Sequence, residues 1–102
     1  MMANLVRLRV LAEHFEESGD YEMAEIIVRK ILALSQTDGN TEEIISALHN
    51  LALLLEAQGK SDEAMENARL AMRLASLNAD LHSHWYDELI DLLVQLNAMR
   101  AA

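Results

Sequence analysis

The chain has no cysteine and no proline, and only three glycines among 102 residues. Without cysteine there is no disulfide, no thiolate metal site and no cysteine nucleophile, and nothing points to an oxidising compartment. Without proline, little interrupts long helices. Aromatic residues are scarce too: Phe15, Tyr21, Trp85 and Tyr86 are the full set, so Leu, Ala, Ile and Met must fill the core. Cations are few, and the net charge is −9. Nucleic-acid binding needs cations to replace counterions, and anionic lipid attracts basic segments, so neither partner is expected. No apolar run approaches the roughly 18 residues that span a membrane. Met1 to Val10 does not read as a secretory leader, because Arg7 and Arg9 interrupt its apolar residues and no small-residue cleavage site follows. A cytoplasmic location is the expectation.

What is present is a repeat. Leu8, Leu11, Ala12, Glu16, Gly19, Ala24, Arg29 and Leu34 recur, type for type, as Leu48, Leu51, Ala52, Glu56, Gly59, Ala64, Arg69 and Leu74, an offset of 40 residues. Self-similarity of this length points to stacked helical hairpins that bind other proteins. Apolar residues make up 52% of the chain and charged residues 25%, values that fit one globular domain over 1–102.

The periodicity predicts five helices. Leu5, Leu8, Leu11, Ala12 and Phe15 form the apolar stripe of a first helix, Asn4 to Ser18, which Gly19 ends. Asp20 caps a second helix that buries Ala24, Ile27, Val28, Ile31 and Leu34 and ends near Ser35. The polar run Ser35 to Asn40 reads as a loop. Asn40 with Glu43 reads as a capping box for a third helix, whose stripe is Ile44, Leu48, Leu51, Ala52 and Leu55. Gly59 ends it and Ser61 is the expected next cap. The fourth helix presents a small face of Ala64, Ala68, Ala71, Met72 and Ala75, which permits close helix approach. After a break at Asn78-Ala79-Asp80, a fifth helix runs from Leu81 to Met99. At an offset of 41, its Leu89, Leu92 and Leu96 match Leu48, Leu51 and Leu55.

The units Leu8-x-x-Leu11-Ala12-x-x-Phe15-x-x-x-Gly19-x-x-x-x-Ala24 and Leu48-x-x-Leu51-Ala52-x-x-Leu55-x-x-x-Gly59-x-x-x-x-Ala64 resemble the tetratricopeptide repeat, over nearly the whole chain. The segment from Leu48 to Ala64 is also similar to the longer-repeat variant of kinesin light chains. The resemblance implies an all-α, right-handed α-solenoid of five helices: two tetratricopeptide-like hairpins (about 5–40 and 41–78) and a C-terminal capping helix (about 81–99). The family's frequent first-helix Trp is Leu8 and Leu48 here, its second-helix aromatic is Val28 and Ala68, and its closing Pro is absent.

The resemblance further implies a non-enzymatic adaptor that binds a peptide or helix on the concave face of its first helices. Val6, Arg9, Glu13, Glu16 and Glu17 map there from the first repeat. Ser46, His49, Asn50, Leu53, Glu56 and Ala57 map there from the second, and Asp87, Ile90, Asp91 and Val94 from the fifth helix. The binding groove is thus expected at Arg9, Glu13, Glu16, Glu17, His49, Asn50, Leu53 and Glu56, with Asn50 pinning a peptide backbone. A carboxylate clamp is not expected, since Glu13 stands where that clamp needs Asn, and Glu16, Glu17 and Glu56 repel a carboxylate. The acidic rim favours a basic partner; a merely solvated charged face is the competing reading.

The fifth helix is apolar beyond one stripe. Trp85, Ile90, Leu93 and Val94 are therefore expected to form an oligomer interface, of a homodimer or of a self-assembling scaffold, unless the helix folds back over the core. Catalytic and cofactor chemistry is not expected. Gly19, Gly39 and Gly59 are isolated turn glycines rather than a phosphate loop. Ser46 and His49 share a helix face without an oxyanion hole. Asp80, His84 and Glu88 share a face at steps of four, which reads more readily as a solvated helix end than as a metal site. The six methionines are scattered and read as core filler or terminus.

Overall fold

The computed structural model describes the backbone of residues 2–101 and the side chains of residues 4–78 and 80–99. It holds five helices: α1 (Met2–Glu17), α2 (Tyr21–Asp38), α3 (Thr41–Ala57), α4 (Ser61–Ser76) and α5 (Ala79–Ala101), with no strand among the described residues. Each helix packs mainly on its neighbours in the chain, α1 on α2, α2 on α3, α3 on α4 and α4 on α5. The result is a slab of 40 × 34 × 17 Å, two helical hairpins followed by a terminal helix.

The two glycine turns are built alike. Gly19 and Gly59 sit at φ +82° and +79°, left-handed conformations that glycine adopts without a Cβ penalty. Behind each, the next amide reaches back across the helix end: Asp20 N–H donates to Phe15 C=O at 2.8 Å and Lys60 N–H to Leu55 C=O at 2.9 Å. This fixes where the next helix starts. Asp20 Oδ1 accepts from Met23 N–H at 3.2 Å and caps α2 as expected. Forty residues on, the cap position falls on Lys60, which makes no side-chain capping bond, and Ser61 is the first helical residue rather than the cap.

The second helix runs three residues past its expected end. Ser35 Oγ donates to Ile31 C=O at 2.8 Å and Thr37 Oγ1 to Ala33 C=O at 3.0 Å, so two polar residues expected in a loop satisfy themselves against the helix. Asn40 Oδ1 then accepts from Glu43 N–H at 3.1 Å and caps α3. Only this half of the capping box forms. Asn40 N–H donates to Ser35 C=O, and the Glu43 carboxylate pairs with Arg9 of α1. At the last break, Asn78 Oδ1 accepts from Leu81 N–H at 3.3 Å, and α5 begins at Ala79.

The core centres on α3, where Ile45, Leu48, Leu51 and Leu55 are fully buried. Its stripe differs from expectation at one position only: Ile45 is buried and Ile44 half-buried, while Leu48, Leu51, Ala52 and Leu55 are buried as expected. Similarly, buried Ser35 takes the place expected for half-buried Leu34. On α4, Ala64, Ala68, Ala71 and Ala75 are all fully buried, the small face that brings α4 close to both α3 and α5. Leu11 departs most from its expected place in the α1 stripe. It is 40% exposed, whereas its counterpart Leu51 is 0% exposed: among the described helices α3 packs on both α2 and α4, while α1 packs mainly on α2. Of the methionines expected as core filler, Met65 is buried and Met72 half-buried, while Met23 and Met99 are exposed; the side chains of Met1 and Met2 lie outside the described residues. Among the described residues, no helix is long and apolar enough to cross a membrane.

Candidate functional site

Steps of three and four along α1 put Arg9, Ala12, Glu13 and Glu16 on one face, and the same steps along α3 align Glu43, Ser46 and Asn50. These two faces border a cleft of about 410 Å³. Ala12, with Val28 and Ile31 of α2, gives it an apolar floor, and Trp85 of α5 joins the lining. Glu13, Glu16, Glu42 and Glu43 set four carboxylates around the opening against one guanidinium, Arg9. Arg9 is itself bound in an ion pair to Glu43, which ties α1 to α3.

Trp85 sits among imidazoles. Its ring centroid lies 5.5 Å from that of His49 and 5.3 Å from that of His84. Its indole N–H is buried with no hydrogen-bond partner among the described residues.

A second polar node joins the two hairpins from the α2 side. Glu25 accepts hydrogen bonds from Arg29 Nε at 2.8 Å, Gln58 Nε2 at 2.8 Å and Lys60 Nζ at 3.4 Å. Burial pushes the Glu25 carboxyl up, but these donors and the Arg29 charge outweigh it and hold the group below the usual carboxylate value. Arg29 also reaches Glu63 of α4 at 3.6 Å.

A family model described as the tetratricopeptide repeat matches residues 3–76. The chain belongs to the tetratricopeptide repeat family. Repeats of this family generally mediate protein–protein interaction and are typically non-enzymatic modules. No curated protein matches the chain significantly.

Within this tetratricopeptide repeat architecture, the residues expected to form a groove are partly gathered. Arg9, Glu13, Glu16 and Asn50 line the cleft. Glu17 is exposed at the end of α1, outside it. His49 is half-buried beside Trp85, and Leu53 is exposed further along α3. Glu56 accepts from Gln95 Nε2 at 3.0 Å, which ties α3 to α5. The four residues expected at an oligomer interface are divided: Trp85 lines the cleft, while Ile90, Leu93 and Val94 line a separate groove of about 310 Å³ with Met65 and Arg69 of α4. Among the described residues, no three His, Asp or Glu side chains gather into a metal-holding group, so Asp80, His84 and Glu88 do not form one.

Sequence reasoning missed Glu42 and Glu43 as rim residues. The signal was present: Ser46 and Asn50 were placed on the inner face, and one turn back along α3 from Ser46 leads to Glu42 and Glu43.

Proposed function

We propose that the chain is an interaction adaptor that grips a peptide or helix of a partner protein in the α1–α3 cleft, and that the gripped segment carries Lys or Arg beside apolar side chains. The observation that supports this reading is the union, in one opening, of an apolar floor and a carboxylate rim. Ala12, Val28 and Ile31 seat apolar anchors. Glu13, Glu16 and Glu42 attract cations and raise the encounter rate. The Asn50 amide both donates and accepts, as an extended peptide backbone requires. Glu17 and Glu56 add charge of the same sign beyond the cleft, and His49 and Leu53 continue the α3 surface. Arg9, engaged by Glu43, is not available to draw a C-terminal carboxylate.

Trp85 is the only tryptophan of the chain and lines the cleft, so its emission reports occupancy. Titration with amphipathic peptides bearing Lys is expected to shift that emission, and peptides with Glu in place of Lys are expected to leave it unchanged. Reversing the rim with Glu13→Lys and Glu16→Lys weakens binding by about tenfold or more. Equal affinity for both peptide classes, or indifference to the reversal, overturns the proposal.

A second reading, self-association through α5, is favoured by Val94, which stands 65% exposed beside Ile90.

A further inference from the structure

The repeat itself shows what the first hairpin would accept at its outer end. In the second hairpin, Ile44, Leu48 and Leu74 belong to one apolar cluster, and Leu32 of the preceding helix packs into it. Forty residues earlier, the corresponding Asn4, Leu8 and Leu34 line an open groove of about 470 Å³ between α1 and α2, with Ala33, Arg7 and Lys30. In the internal copy, the side chain contributed by the preceding helix is the aliphatic Leu32. The outer copy is bordered by two cations, and neither forms an ion pair among the described residues, unlike Arg9, Arg29 and Lys60.

The opposite end of the slab carries the complement. Asp87, Ile90, Asp91 and Val94 recur at steps of three and four on the side of α5 turned away from its buried Leu89, Leu92 and Leu96. Two aliphatic side chains stand there between two carboxylates one turn apart, and neither carboxylate forms an ion pair among the described residues. A symmetric α5–α5 dimer would set these carboxylates against their own copies, with Arg69 of α4 the one cation lining the groove of Ile90 and Val94. A groove bordered by Arg7 and Lys30 meets them with opposite charge and offers the aliphatic pair an apolar floor.

We propose that copies of this chain associate head to tail, with α5 of one seated in the α1–α2 groove of the next. This deepens the self-association reading and rests on it. The contact is heterologous, so both ends of every assembly remain competent and growth is open rather than closed at a dimer.

Light scattering over a dilution series, with circular dichroism to confirm folding of each variant, tests the proposal. The wild-type mass is expected to rise past that of a dimer with concentration and to fall as salt is raised. The groove variant Arg7→Glu with Lys30→Glu, and the helix variant Asp87→Lys with Asp91→Lys, should each be monomeric where the wild type assembles, an association at least about tenfold weaker. The chain carrying all four changes should assemble again, because every junction regains opposite charges. If the groove variant still forms a dimer of fixed mass, the head-to-tail arrangement is wrong and self-association by α5 alone stands. If the wild type is monomeric throughout, both fail.

Discussion

At Gly59 the backbone conformation decides the residue, since φ is +79° and a Cβ placed there would meet nothing within 4 Å. The cost of a side chain is therefore conformational and not a clash. Gly59→Ala is expected to lower the unfolding free energy by about 1 kcal/mol, measured by urea denaturation, with Gly59→Asn less harmful. Ala68 is the opposite case, fully buried on the small face of α4. Ala68→Leu adds volume where helices meet, and should cost about 1–3 kcal/mol by the same measurement. Both positions were legible in the sequence, because a turn glycine and an alanine stripe declare their roles locally. So were the caps Asp20 and Asn40. Ser61 misled because Ser is a good cap in isolation, whereas the turn at Gly59 sets the cap one residue earlier, at Lys60. Leu11 misled for the reverse reason. Its burial depends on how many helices flank α1, and periodicity within α1 carries no information about its neighbours.

Between elements, the informative group is Glu25. Its side chain is only 13% exposed, and its partners Gln58 and Lys60 come from the turn between α3 and α4. Nothing local in the sequence marks residues 33 and 35 positions away as its partners. The capping box expected of Asn40 and Glu43 forms only on the Asn40 side, because the Glu43 carboxylate is drawn to Arg9 of another helix. The candidate site was legible to the extent that it follows helix faces: Arg9, Glu13, Glu16 and Asn50. Trp85 was not, because its place in the cleft depends on how α5 lies across the hairpins.

The folded-state value of Glu25 is depressed. The stabilisation it gives is therefore fully present above the unfolded value of about 4.3 and is lost as pH falls through the folded value. Glu25→Gln should lower stability at neutral pH by about 1 kcal/mol. The gap between variant and wild type should close as denaturation curves are taken below about pH 4. A gap that persists into strong acid would show that the Glu25 charge does not join the hairpins.

Across the whole molecule, charge and shape are distributed unevenly. A net charge of −9 is spread over a slab only 17 Å thick. The ion pairs at Arg9, Arg29 and Lys60 all join one hairpin to the other or brace a helix that does so. These three cations thus serve the joints, while carboxylates outnumber cations around the cleft.

The arrangement in which each helix packs mainly on its chain neighbours also has a consequence in time. Contacts close in sequence require only short loops to be closed before apolar burial begins, so the search is brief. With no proline in the sequence, no prolyl isomerisation limits the rate. Stopped-flow refolding of the monomer, followed by Trp85 emission, is expected to be complete within about milliseconds and to lack any phase of seconds or longer. The stacking that makes the surface of this protein also makes the chain quick to recover that surface after it is lost.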